Sequence, residues 1–333
     1  MATTSISSTR HGAATLEAGR ANWDGWNNNR TRAPWERSRI ITHGYVAGGY
    51  KNANPWYNVN RTVHSNDTST NLGDMMNYAA SYCDGANSDR SLYIYGGDNS
   101  FSGNTSRVWK MNMSNASSQG MTNSMNVNRN DMSCMTDYHH QGAKIYITGG
   151  GNSTTDRTNM QNDTNNTVQG SGQGGDYSAG AQGRLRGWSK TSGTAQYLTW
   201  ASETWSSWGG SPGTNGWGKA CSSYLQYMYW KNGGNCTTDI RRVNDYTGAN
   251  MNAFNVQNSG EENFQMGNYK GYCLGHYNGA QNNNSYKWNY ITDSYADGGS
   301  NMQPKGHDGM SSAGNASAYT FNNLSYGITP PAY

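Results

Sequence analysis

The stretch Ser91-Leu92-Tyr93-Ile94-Tyr95-Gly96-Gly97 returns along this chain in altered forms, and that recurrence limits the fold more than any other feature. Leu, Tyr and Ile in succession favour an extended strand. The glycine pair ends it, because glycine takes φ > 0 or lets another backbone come close. Related runs stand at 44–49 (GYVAGG) and 144–150 (KIYITGG), with weaker versions at 196–200 (QYLTW), 225–230 (LQYMYW), 271–275 (GYCLG) and 318–321 (AYTF). Their spacing is about 50 residues, the scale of one repeated supersecondary unit. Tyr197 and Tyr227 lie too close together for a full four-stranded unit between them.

Each unit carries two further features. After the aromatic run comes a strand with polar alternation, at 58–67, 105–115, 156–165, 239–248 and 284–293. Before the next run comes a small-residue stretch such as NYAASYC, MSCMTDYHH or GKACSSY. Period-2 patterning between Asn-, Gly- and Ser-rich turns predicts antiparallel hairpins. The best helical candidate, Thr15–Arg20, is short and cut by Gly19.

Leu, Ile, Val and Phe fall below the ~20% at which a charged chain would stay disordered. Charged residues are only 14% here, however, and there are 24 Tyr, 12 Trp and 15 Met. Aromatic rings bury about 150–250 Å² each and can build the core, provided hydroxyls and indole N–H groups find partners. A net charge of +3 without long basic runs argues against nucleic acid or an anionic membrane as partner. No apolar run reaches the length of a membrane span. The start MATTSISSTR lacks an apolar segment, so no secretory signal peptide is expected and folding is expected in a cytoplasm. Cys83, Cys134, Cys221, Cys236 and Cys273 form no CxxC pair and read as free core thiols.

On these runs and their Gly-Gly ends the chain resembles the kelch and galactose-oxidase-like β-propellers across residues 43–321. Departures stand at Thr199-Trp200 and Gly275-His276, where Gly-Gly is expected. The resemblance implies an all-β propeller with the hydrophobic run innermost in each blade. The seven runs give seven four-stranded blades, with the short fourth unit a reduced one, or six if that unit is not a blade. Residues 43–327 would form the propeller, 1–42 would close the ring or act as an arm, and 328–333 would be a tail. Closure is expected from pairing of residues near 20–42 with residues near 318–328, because an open edge invites aggregation. The segments 43–74 and 271–293 are also similar to repeat proteins of tailed cyanobacterial phages. That likeness implies a structural component of a virion.

The chain offers little for catalysis. Glu is scarce (Glu17, Glu36, Glu203, Glu261 and Glu262), and adjacent Glu261 and Glu262 would point to opposite faces of a strand. Asp131, Asp137, His139 and His140 form the densest titratable group and read as a polar loop, with a metal or general-base site as the alternative. The copper ligands of galactose oxidase match no motif here. Ser202-Glu203-Thr204-Trp205 echoes a sialidase Asp-box without its Gly. Phosphate-binding, zinc-protease, nucleophile-elbow and calcium-loop motifs do not occur. Trp200, Trp205, Trp208 and Trp217 cluster among glycines, and fit either the core of a cramped blade or a surface that meets a partner or a glycan. The expectation is therefore a non-enzymatic structural or attachment module of a phage virion (tail, neck or capsid-associated), without cofactor or metal. It would dock to other virion proteins through its faces. The alternative is a glycan-binding propeller for host-surface recognition.

Overall fold

The computed structural model describes residues 41–319 apart from 138–143, 211–219, 232–238, 256–260, 298–315 and shorter stretches. Among the described residues every regular element is a strand, and no helix is long and apolar enough to cross a membrane. β1 (Ile41–Ala47) ends at Gly48-Gly49, and a small hairpin of β2 (Tyr50–Lys51) and β3 (Asn54–Pro55) leads to β4 (Asn58–Val63) and β5 (Thr68–Asp74). The second sheet is β6 (Asp84–Asn87), β7 (Ser91–Tyr95), β8 (Val108–Asn112) and β9 (Ser117–Gly120). The third is β10 (Met132–Asp137), β11 (Lys144–Gly149), β12 (Thr155–Asn159) and β13 (Thr164–Val168). The fourth is β14 (Ala179–Gln182), β15 (Arg186–Lys190), β16 (Ala195–Thr199) and β17 (Thr204–Trp208). The fifth is β18 (Ala220–Tyr224), β19 (Tyr227–Lys231), β20 (Asp239–Asn244) and β21 (Asn250–Asn255). The sixth is β22 (Glu261–Met266), β23 (Lys270–Tyr277), β24 (Gln281–Asn289) and β25 (Ser294–Asp297).

The first sheet is completed from the far end of the chain. β26 (Ala316–Tyr319) pairs antiparallel with β1, placing Ile41 opposite Tyr319 and Tyr45 opposite Ala316. Its order is β26-β1-β4-β5, so all six larger sheets among the described residues have four strands. Ala318 and Tyr319 of the last run thus belong to β26, an edge strand of the first sheet. The partner of this C-terminal strand is β1 itself, and residues 1–40 and 320–333 lie outside the described residues.

The run at 196–200 is the third strand of its sheet, not another copy of the aromatic second strand. β16 pairs with β15, whose Trp188 faces Tyr197 in register. The second strand there reads RGWSK and lacks the Gly-Gly end, which accounts for the short apparent interval to Tyr227. The first strand in the order of five of the larger sheets is rich in small residues (β26, β6, β10, β14 and β18), whereas β22 in the sixth reads EENFQM. These first strands touch in the order β26, β6, β10, β14, β18, β22, and β22 touches β26 again. The aromatic runs that end in Gly-Gly (β1, β7 and β11) are each second in the strand order of their sheet.

Packing explains why the aromatic runs lack polar alternation. Side chains along a strand alternate between its faces. In β7, Leu92 and Ile94 pack with Tyr45, Ala47, Trp109 and Met111 toward the first sheet. Tyr93 and Tyr95 pack with Cys134, Ile145 and Ile147 toward the third. Both faces are thus buried, at about 1.5–3 kcal/mol for each large side chain removed from water. Cys83 and Cys134 are buried and form no disulfide. The glycine pairs serve close approach between sheets. Gly97 N–H donates to the Arg129 carbonyl at 2.8 Å, while a Cβ on Gly96 (φ +54°) would come within 2.5 Å of that same oxygen.

Candidate functional site

The loops joining third to fourth strands share a sequence and a backbone shape. They read Asn66-Asp67-Thr68, Asn115-Ala116-Ser117, Asn162-Asp163-Thr164 and Ser202-Glu203-Thr204. The central residue is left-handed in each, with φ of 54° at Asp67, 51° at Ala116, 57° at Asp163 and 53° at Glu203. The residue before it ties down the residue after it. Asn66 Oδ1 accepts from Thr68 Oγ1 at 2.7 Å, Asn115 Oδ1 from Ser117 N at 3.1 Å, and Asn162 Oδ1 from Thr164 Oγ1 at 2.7 Å. Among residues with a Cβ, Asn and Asp tolerate this backbone region best, whereas an L-alanine there costs about 1–2 kcal/mol.

Each acidic centre is gripped by the preceding sheet through a tyrosine of its second strand and a cation of its third. Asp163 accepts from Tyr93 Oη at 2.8 Å and Lys110 Nζ at 2.7 Å, and Tyr93 and Lys110 are register partners. Glu203 accepts from Tyr146 Oη at 2.8 Å, Lys144 Nζ at 2.5 Å and Arg157 Nη1 at 2.6 Å. Tyr146 and Arg157 are likewise register partners. Asp67 accepts from Tyr272 Oη at 3.0 Å and Lys287 Nζ at 2.5 Å, with Tyr272 opposite Lys287. This last clamp joins the sixth sheet to the first. Between the fourth and fifth sheets the theme changes: buried Asp245 accepts from Trp188 Nε1 at 2.8 Å and Leu185 N at 2.6 Å. Between the first and second sheets Tyr45 and Arg61 keep their cross-strand register, but the loop presents the methyl of Ala116. There Tyr45 Oη donates to the Met113 carbonyl at 3.3 Å.

Hydrogen bonds to charged groups contribute about 1.5–3 kcal/mol each where they are shielded from water. Burial, then the hydrogen bond to Asp163, raises the pKa of Tyr93 well above that of a free phenol. Burial and Glu203 do the same to Tyr146, and burial and Asp67 to Tyr272. These hydroxyls are therefore fixed donors. Burial alone would raise the pKa of Glu203, but the bonds from Lys144, Tyr146 and Arg157 outweigh it and hold the carboxyl below its usual range.

The tryptophans singled out in the sequence are divided between sheet interfaces. Trp200 is 3% exposed, stacks on Tyr146 with centroids 5.3 Å apart and donates Nε1 to the Gly183 carbonyl at 3.2 Å. Trp205 is half-buried and donates to Thr155 Oγ1 at 2.9 Å. Trp208, also half-buried, meets the Trp188 ring edge-on at 5.1 Å. Trp217 lies outside the described residues. The structure thus brings Trp200 and Trp205 to the third–fourth interface and Trp208 to the fourth–fifth. Asp131 and Asp137 are buried, and the Asp131 backbone links Tyr82 to Ser178 by hydrogen bonds of 2.7 Å on either side. His139 and His140 fall outside the described residues. Among the described residues no three His, Cys, Asp or Glu side chains gather in a way that could hold a metal ion.

The clamp acids are the residues that sequence reasoning misses. Their signal is a repeated Asn/Ser–Asp/Glu–Thr at the end of the polar strands, visible at 66–68, 162–164 and 202–204. No protein-family model matches the chain, and no curated protein matches it.

Proposed function

We propose that the six sheets are blades of one closed propeller and that the chain is a non-enzymatic docking module of a phage virion. The observation carrying this reading is the double tie between the chain's ends, the β1–β26 pairing and the Asp67 clamp on Tyr272 and Lys287. A ring closed in this way has no loose terminal sheet and offers broad rigid faces. Its carboxylates at Asp67, Asp163, Glu203 and Asp245 hold blades together, which favours a scaffold over a catalyst. Tyr57, Tyr246, Met251 and Tyr295 are large and exposed, at 36–42% of their surface. Tyrosine and methionine suit contacts that depend little on charge. A glycan-binding role through the tryptophans has less support, since Trp200 is enclosed and Trp205 and Trp208 are tied into the sheets.

Mass spectrometry of purified particles carrying the encoding genome tests the proposal. The chain should be present in fixed stoichiometry with the other particle proteins. Its absence from particles, together with turnover of a defined substrate by the purified chain, would overturn the proposal.

A further inference from the structure

The clamp series shows what these positions bind. At the third–fourth interface Lys144, Tyr146 and Arg157 converge on one carboxylate, that of Glu203. The first sheet presents the matching set. His43 lies two residues before Tyr45 on β1, as Lys144 lies two before Tyr146 on β11, and Arg61 opposes Tyr45 as Arg157 opposes Tyr146. The facing loop keeps the same left-handed residue, φ 51° at Ala116 against 53° at Glu203, and the same Asn/Ser-tied turn. What differs is the side chain at its tip. Arg61 has no ion pair among the described residues, whereas its counterparts Lys110, Arg157 and Lys287 each have one. Arg61 is half-buried, with its Nε enclosed and lacking a hydrogen-bond partner. A guanidinium placed beside a tyrosine hydroxyl suits a planar carboxylate.

We propose that the notch formed by His43, Tyr45, Arg61 and Ala116 between the first and second sheets binds a carboxylate from outside the chain, the acidic side chain of a docking partner protein. The binding chemistry stands on the clamp geometry alone. Only the source of the carboxylate rests on the docking reading. The partner's carboxylate takes the place that Glu203 fills two interfaces on, with Arg61 as its cation and Tyr45 Oη turning to it from the long bond to Met113 O.

The test follows the His43 ring signals of the full chain by NMR during titration, with His43→Gln assigning them. The ligands are sodium acetate, N-acetylglutamate N-methylamide as a side-chain carboxylate, and N-acetylglycine as a chain terminus, with sodium chloride at equal ionic strength as control. The carboxylates should give a saturable shift that chloride does not, and the glutamate mimic should bind at least as tightly as N-acetylglycine. Arg61→Gln should weaken binding at least about tenfold, because a charge-assisted hydrogen-bonding partner is lost. Ala116→Asp should weaken it equally by filling the notch, and should raise the melting temperature. Should that variant fail to fold, Arg61→Gln still decides. Equal shifts with chloride, or unchanged acetate affinity in Arg61→Gln, would overturn the site. Binding of N-acetylglycine alone would overturn the side-chain source. A notch that does not bind acetate in a chain still found in particles would remove this inference and leave the docking proposal standing.

Discussion

Asp67 holds Lys287 at 2.5 Å across 220 residues of chain, joining the first sheet to the sixth. The same carboxylate takes the Tyr272 hydroxyl, and the Tyr272 ring stacks on His64 at 4.5 Å. One loop residue thus ties together the two ends of the repeat series. Its cost is small, because Asp tolerates the left-handed backbone the loop demands.

Asp67→Asn should lower the urea-unfolding free energy by about 1–3 kcal/mol, the loss expected when a partly buried charged hydrogen-bond pair is broken. Lys287→Met should cost a similar amount. The double variant should cost less than the sum, with a coupling of about 0.5–3 kcal/mol. Strict additivity would mean that the two groups do not interact.

Glu203 predicts a pH dependence with a definite sign. Its folded carboxyl titrates below the ordinary value of 4.5 because Lys144, Tyr146 and Arg157 outweigh the effect of burial. The stability it contributes is complete above that ordinary value and is lost as pH falls through the lower folded one. Urea midpoints of wild type and Glu203→Gln should therefore differ at neutral pH and converge in acid. A gap that stays constant into acid would contradict the clamp.

Aromatic strands such as β7 and β11 are legible in the sequence because they are packed on both faces. Leu92 and Ile94 serve one core while Tyr93 and Tyr95 serve the next, so the whole run reads as apolar. The clamp acids are not legible in the same way. Asp67 and Asp163 end polar stretches rich in Asn and Ser, and an Asp in such a turn reads as solvated until its distant tyrosine and lysine are placed. The fourth unit misleads for a related reason. Tyr197 and Leu198 in β16 imitate an aromatic second strand, while the actual one, β15, has charged ends and no glycine pair. Trp200 and Trp208 read from the sequence as either core or surface, and Gly187 and Gly210, which make the difference, are matched to them only in the fold. Those glycines make room for rings: a Cβ on Gly187 would lie 2.1 Å from Trp200 Cη2, and one on Gly210 would lie 2.7 Å from Trp208 Cζ2.

Gly96→Ala should destabilise by more than about 1 kcal/mol, since it adds strain at positive φ and a clash with the Arg129 carbonyl. Gly73 shares positive φ, but a Cβ there would meet nothing within 4 Å. Gly73→Ala should therefore be milder, with the difference in thermal midpoints reporting the close approach at Gly96. Equal costs would mean that backbone strain alone decides.

Trp188 combines burial with a bond to Asp245, so Trp188→Ala should cost about 3–5 kcal/mol by chemical denaturation. Trp188→Phe keeps much of the packing but leaves the Asp245 carboxylate short of a donor. It should therefore cost clearly more than the lost area alone predicts. A nearly neutral Phe variant would show that the indole N–H contributes little.

Hydrogen exchange of residues 41–47 tests ring closure most directly, measured in the full chain and in a chain ending at residue 310. Amides of 41–47 should be as protected as those of 91–95 in the full chain, and the shortened chain should lose that protection together with stability in the first and sixth sheets. Exchange at 41–47 that is fast in the full chain, or unaltered by removing the last strand, would contradict closure.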